Sequence, residues 1–336
     1  MFGQLASRYL AELDATMRRV VDEMVVTPDF GTMLRYPLGW VDQEGQPYNH
    51  TTGKRIRPLL VLLSAEATGG DFHPALPAAA AVELLHNFSL VHDDIEDDSP
   101  TRHGRPTVWA VWGRANAINA GDALFALAYA ALQGVSATVP PEIALKVWRI
   151  FNATNIELTR GQHLDMRFEH QANVTVEDYL SMIRGKSAAL VATCAQMGAL
   201  IGSGDEVTAG HFADFGLNLG LAFQIRDDIL GIWGDPAVTG KSAATDILSR
   251  KKSLPVLYGL SQSAELVELY GRETFGADEV SAAVRILDQV GAQAFTVEHE
   301  TRYYNRALAA LEEANARGSA GDGLLALTQF LFQRAY

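Results

Sequence analysis

The chain has 336 residues, 48% of them hydrophobic, with a formal net charge of −13 and a pI near 5.1. That acidity argues against nucleic acid or an anionic membrane surface as the main partner. The single cysteine, Cys194, rules out an internal disulfide and fits a reducing compartment.

The N-terminus lacks a basic-then-apolar signal pattern. Apolar runs are broken by Glu83, His86 and Asp122 before reaching the ~18 residues of a membrane span. A soluble, cytoplasmic protein without a membrane span is expected. Apolar residues recur at helical intervals and β-branched runs are few. A first amphipathic helix is predicted over residues 4–26, followed by an irregular connector over 31–52 with Pro37, Gly39, Gly45 and Pro47 as breakers. Helices are then predicted over 54–68, 75–97, 116–134, 141–168, 176–203 and 207–233. A polar loop covers 234–252, and shorter helices follow over 254–270, 278–290, 294–316 and 322–334. With no linker or composition break, residues 1–336 read as one domain. Its expected class is all-α: a large helical bundle around a central apolar cavity, since bundles place sites among inward-facing side chains.

The helix over 75–97 begins apolar and ends in five acids within six residues, Asp93-Asp94-Ile95-Glu96-Asp97-Asp98. Asp93 and Asp97 share one face at i, i+4, and Asp94 and Asp98 share the next. Two carboxylates about 4 Å apart repel by about 4 kcal/mol at an effective dielectric near 20. A cation relieves that repulsion; a solvated helix end tolerates it equally well. The second acidic pair, Asp227-Asp228, ends another apolar helix and tips the reading towards a metal site.

Cations lie close to the first cluster. Lys54, Arg55 and Arg57 open a helix, with Lys54 and Arg57 on one face, where unpaired backbone N–H groups also favour anions. A surface salt-bridge face is the plainer alternative. Arg102-His103-Gly104-Arg105 follows the first acidic cluster. Acids and cations so interleaved suit a magnesium-bridged polyphosphate. Gly185-Lys186-Ser187 interrupts a strong helix, and a kink there would aim Lys186 inward. Neither this tripeptide nor Gly240-Lys241-Ser242 completes a phosphate-binding loop, because positions 180 and 235 are Leu and Asp where that motif requires glycine. An EF-hand starting at Asp94 fails at Ser99, and Glu83-x-x-His86 has no second copy to make a di-iron bundle.

Taken in order, these motifs resemble those of the trans-isoprenyl diphosphate synthases. The matching segments are Gly53-Lys54-Arg55-Ile56-Arg57-Pro58, Asp93-Asp94-Ile95-Glu96-Asp97, Gly161-Gln162, Lys186-Ser187, Gln224-Ile225-Arg226-Asp227-Asp228, Thr239-Gly240-Lys241 and Lys251-Lys252-Ser253-Leu254-Pro255. The resemblance implies an all-helical homodimer that joins isopentenyl diphosphate to an allylic diphosphate, with three Mg2+ per active site. It implies that Asp93, Asp94, Asp97, Asp227 and Asp228 hold the metal. Lys186, Ser187, Gln224, Lys241, Lys251 and Arg102 would contact the allylic diphosphate or its metal shell. Lys54, Arg57, His86 and His103 would line the isopentenyl diphosphate pocket, with Gln162 and Asp165 near the reacting carbons and Lys186.

Three departures stand out. Gly231 replaces the last aspartate of the second motif, His103 replaces an arginine that only Arg105 could compensate, and Ser187 replaces a threonine. Phe88 and Ser89, just before the first motif, correspond to the floor that limits product length. A bulky Phe88 favours geranylgeranyl diphosphate, with farnesyl diphosphate next. A class I terpene cyclase and a silent partner subunit are the alternatives. The first has no use for a second diphosphate pocket, and the second would carry a broken first motif.

Overall fold

Small side chains set the helix spacing in this protein. The structure, a computed structural model, describes residues 2–25, 27–48, 53–171, 173–234, 244–272 and 274–332. The chain forms two compact units that alternate along the sequence. One comprises Met1–Trp148, Met197–Glu206 and Arg317–Gly321; the other comprises Arg149–Gln196, Val207–Ala316 and Asp322–Tyr336.

In the first unit, α1 (Phe2–Met24), α2 (Pro28–Arg35), α3 (Ile56–Gly69) and α4 (Leu76–Glu96) lead into a short hairpin, β1 (Thr101–Arg102) and β2 (Arg105–Pro106). Then come α5 (Val108–Trp112) and α6 (Arg114–Gln133). Helix α4 packs chiefly against α6 and next against α3. Its run Ala78–Ala81 is fully buried, so it contributes little bulk and its neighbours come close. At Gly121 on α6, a Cβ would lie 2.1 Å from His92 Nε2. Only glycine lets the His92 ring of α4 lie there.

Helix α7 (Pro141–His170) contributes to both units in turn along its length. Next along the chain are α8 (Val176–Ile183), a π-turn over Arg184–Ala188, α9 (Ala189–Ser203) and α10 (Glu206–Trp233). After it come α11 (Thr245–Leu248), α12 (Leu254–Gln262), α13 (Ala264–Tyr270), α14 (Ala277–Gln289), α15 (Ala292–Glu313) and α16 (Gly318–Phe332). Tyr179, Met182 and Ile183 of α8 pack with Leu221 and Ile225 of α10 and Leu254 and Leu257 of α12. A second cluster joins Ile247, Val256, Leu266 and Leu287.

The all-α expectation holds; strand structure among the described residues is limited to the hairpin and one bridge, Val41–Pro47. Four boundaries differ. Helix α2 lies partly inside the expected connector: Pro28 at its first turn and Asp29 beside it are helix-start residues, and Gly31 is part of the helix. The first acidic helix ends at Glu96, with Asp97 as its cap. The expected helix over 176–203 is divided by the π-turn. The one over 254–270 is divided at Ser263, whose Oγ accepts from the Leu266 N–H at 3.2 Å and caps α13. Residues 235–243, including Lys241, lie outside the described residues.

Within the second unit, Arg226 of α10 donates to Glu300 Oε1 of α15 at 3.1 Å, with side chains 8% and 6% exposed. Its other nitrogen donates to the Phe332 carbonyl at 3.1 Å. Removing one partner of such a buried pair strands the other charge. Glu300→Ala is expected to lower unfolding free energy by about 3–5 kcal/mol, read by urea denaturation.

Candidate active site

In the first unit the acids sit at the end of α4. Asp93 is half-buried, Asp94 is 4% exposed and Asp97 is exposed. The Asp97 N–H donates to the Asp93 carbonyl at 2.9 Å, so the two remain one turn apart although the helix stops between them. Asp98 turns away with φ 51° and pairs with Arg114. Asp94 accepts from Arg102 Nε at 2.7 Å. Burial pushes the Asp94 carboxyl up, and Arg102 pulls it back.

The hairpin explains how Arg102 reaches Asp94. Its two turn residues, His103 and Gly104, both have positive φ, 52° and 74°, as a twist-matched two-residue turn needs. Arg105 on the opposite strand is committed elsewhere. Its guanidinium lies 4.1 Å from the Tyr36 ring and 4.7 Å from the Tyr48 ring, and donates to the Val41 carbonyl at 3.1 Å.

His86 lies one and a half to two turns before Asp93 on α4. Burial holds it well below the usual histidine range, and the charges of Arg57, Arg102 and His103 push in the same direction. The neutral ring can accept a hydrogen bond, and Arg57 Nη1 donates to its Nε2 at 3.1 Å. Lys54 is exposed just before α3. Three residues expected in the isopentenyl pocket, Arg57, His86 and His103, therefore lie in one region, together with Arg102, which the resemblance places with the allylic diphosphate. Phe88 and Ser89 are half-buried. Phe88 begins an aromatic row, 5.0 Å from Phe125, which lies 5.2 Å from Tyr129. Ser89 Oγ donates to the His86 carbonyl at 2.8 Å.

In the second unit, the π-turn carries Lys186. The extra residue in the turn redirects the side chain, and Lys186 pairs with Asp165 of α7. Contact between α7 and the turn is backbone to backbone: a Cβ on Gly161 would lie 2.1 Å from the Lys186 nitrogen. Gln162, half-buried, is the next residue. Ser187 Oγ donates to Gln224 Oε1 at 2.7 Å, and Gln224 Nε2 donates to Asp228 Oδ1 at 3.4 Å.

The neighbours Asp227 and Asp228 have different surroundings. Asp228 is fully buried, accepts from the Tyr179 hydroxyl and from the Leu254 N–H at 3.2 Å, and is pushed up by burial to about 6. Asp227 is half-buried. A helix turns about 100° per residue, so one acid faces the core and the other does not. Desolvation opposes the charge on Lys251, but Asp228, Asp246, Asp165 and Asp227 outweigh it and raise its pKa. Lys252 points elsewhere, donating to the Phe168, Glu169 and Gln171 carbonyls and capping the end of α7.

Two residues of these networks escaped the sequence reading. Tyr179 shows no motif signal beyond an apolar helix face. Asp246 has its carboxylate over Gly231, where a Cβ would lie 2.5 Å from Oδ2. No helical spacing links residues so far apart in the chain.

Among the described residues, no three His, Cys, Asp or Glu side chains converge to hold an ion unaided. Magnesium commonly takes only one or two carboxylates, with phosphate and water completing its shell. Each unit has hard oxygen donors that are partly open, Asp93 and Asp97 in the first and Asp227 in the second, and their chemistry fits that demand.

Helices ending in acids, with cations gathered beside them in each unit, define a class of protein that handles diphosphates. The Polyprenyl synthetase family model matches residues 40–287, and the chain belongs to that family. It is 40% identical over 301 residues to a (2E,6E)-farnesyl diphosphate synthase of Mycobacterium tuberculosis, covering 87% of this chain and 82% of the relative. It is 38% identical over 335 residues to a geranylgeranyl diphosphate synthase of the same organism, covering 98% and 93%. The crystal structure of a polyprenyl synthetase from Streptomyces coelicolor A3(2) superposes with a TM-score of 0.89 at 36% identity, covering 98% of this chain and 99% of that one.

Gly161→Ala would force the π-turn and Lys186 outward. Turnover is expected to fall by roughly a hundredfold, the cost of about 1 Å of misplacement, with helix content by circular dichroism retained.

Proposed function

We propose that this protein catalyses the magnesium-dependent, head-to-tail condensation of isopentenyl diphosphate with an allylic diphosphate, releasing diphosphate. The observation that carries this reading is the hydrogen bond from Arg57 to the neutral His86 ring at 3.1 Å, with Lys54 just ahead of Arg57 in the chain. These residues make a cationic pocket additional to the Lys186 and Lys251 set in the other unit, and a cyclase acting on one diphosphate has no use for two. The product read from Phe88 is geranylgeranyl diphosphate, with farnesyl diphosphate next. A cytoplasmic homodimer completes the proposal; none of the described helices is long and apolar enough to cross a membrane.

Asp93, Asp97 and Asp227 would hold magnesium, which when bound acts as a Lewis acid on the allylic diphosphate. Asp94 and Asp228 belong to the same acidic motifs, with their carboxylates tied to Arg102 and Tyr179. Lys186 and Lys251 add fixed positive charge where negative charge develops on the leaving group. Ser187 and Gln224 orient that end, and Lys241 belongs to the same set by sequence. Lys54, Arg57 and His86 hold the isopentenyl unit, which makes the coupling effectively intramolecular. The allylic C–O bond breaks, the isopentenyl double bond forms the new C–C bond, and the departing diphosphate takes the proton released on forming the new alkene. Gln162 lies near the reacting carbons. Apolar walls keep out water that would quench the allylic cation.

The test is incubation with isopentenyl diphosphate, each allylic starter in turn and magnesium, followed by product sizing. Elongated prenyl diphosphates are expected, and turnover should vanish in excess chelator. Cyclised starter would point to a cyclase, and no turnover to a silent subunit. Asp93→Ala is expected to lower turnover by roughly 10³-fold or more, the scale of losing a directed charge on the leaving group. Full activity would remove it from the site.

Phe88→Ala opens space up to the Phe125 ring. A longer product is expected from the same incubation, and an unchanged product spectrum would place the floor elsewhere.

A further inference from the structure

Glu83 is a buried acid that the mechanism above does not use. It is 3% exposed on α4, one turn before His86, and its Oε2 is buried with no hydrogen-bond partner among the described residues. A carboxylate so enclosed needs nearby cations to stay charged. Arg55 Nε lies 3.9 Å from its Oε1. Asn87, one turn on, donates from Nδ2 to the Glu83 carbonyl at 2.8 Å and towards Oε1 at 3.4 Å, which fixes the rotamer. Burial raises the Glu83 carboxyl, and Arg55 and Arg57 both pull it down.

The arrangement on the α3 side is as specific. Arg55 precedes α3 in a left-handed conformation, φ 46° and ψ 42°, which residues with a side chain rarely adopt. Its guanidinium is held from two directions, by Asp14 Oδ1 of α1 at 3.2 Å and by Glu83. Asp14 is in turn fixed by Arg18 at 2.7 Å and by the Trp40 indole at 2.9 Å. Arg55 is therefore spent on the protein itself. Arg57, two residues later in the first turn of α3, is the arginine that meets His86. The strained turn decides where Arg57 points, and Glu83 and His86 share the α4 face that receives it.

We propose that Glu83 is a positioning residue for the isopentenyl diphosphate pocket: its carboxylate pins the turn at Arg55 and thereby sets Arg57 against His86, ready for the diphosphate. This rests on the reading of Lys54, Arg57 and His86 as that pocket. A simple bystander predicts the opposite sign. A negative charge behind an anion site weakens binding, so its removal should tighten binding unless that charge holds the cations in place.

The test uses the full chain and isopentenyl diphosphate itself, titrated calorimetrically without the allylic substrate. Glu83→Gln preserves shape and removes charge. Its Kd for isopentenyl diphosphate is expected to rise roughly tenfold to a hundredfold, the worth of one charge-assisted hydrogen bond. The KM for the allylic diphosphate should stay unchanged. The double variant Glu83→Gln/Arg57→Gln should bind no worse than Arg57→Gln alone, because Glu83 acts through Arg57. Equal or tighter binding by Glu83→Gln, or additive losses in the double variant, would overturn the role of Glu83 alone. Should Glu83→Gln not fold, Glu83→Asp keeps the charge but withdraws it by one methylene; weaker binding supports the proposal and unchanged affinity overturns it. No binding by the unaltered chain would overturn the pocket assignment, and the role of Glu83 with it.

Discussion

A carboxylate taken out of water must be given a cation or a donor, and four buried acids show how this fold answers that demand. Asp94 is met by Arg102, Glu83 by Arg55, Asp228 by Tyr179 and the Leu254 N–H, and Glu300 by Arg226. Each partner comes from an element other than the acid's own. The pairings therefore do more than stabilise a charge, since each ties a helix to a particular place on another element. A mispacked helix would leave an ion without its partner, an error costing several kcal/mol.

The same demand divides labour within each acidic motif. A helix cannot present two adjacent side chains to one environment. Asp94 and Asp228 are drawn inward and given donors by the protein, whereas Asp93, Asp97 and Asp227 keep access to solvent. The inward acids tie the helix ends to neighbouring elements; the outward ones stand at least partly in solvent. Lysines divide in a similar way. Lys251 is held charged by the field of four carboxylates, while the adjacent Lys252 closes the carbonyl end of α7.

Periodicity made the helices legible, because apolar residues at helical spacing leave no other fold for so long a chain. The π-turn was foreshadowed by Gly185 inside a strong helix. Its partner was less apparent: Gly161 looks like one more glycine until the Lys186 backbone is found against it. Helix α2 was obscured because Gly31 and the prolines around it were read as breakers, when Pro28 stands at the helix start. The motifs of the site could be read from their order along the chain. Charge pairing could not. Nothing local in Arg102-His103-Gly104-Arg105 says that the first arginine turns to Asp94 and the second lies between Tyr36 and Tyr48. That choice depends on a two-residue turn and on which face of each strand meets α4.

Gly231 shows what such distant pairings can accomplish. Judged by the motif alone, α10 lacks a third acid one turn after Asp227. In space, the Asp246 carboxylate of α11 lies where a side chain at 231 would stand, with Oδ2 2.5 Å and Oδ1 2.9 Å from the position of a Cβ. The end of α10 is thus as acidic as a full motif would make it, although the third charge is borne by another helix. Restoring an acid at 231 would set two carboxylates within contact of each other, with the repulsion that such a pair brings. The glycine and Asp246 are one arrangement, and neither residue can be judged without the other.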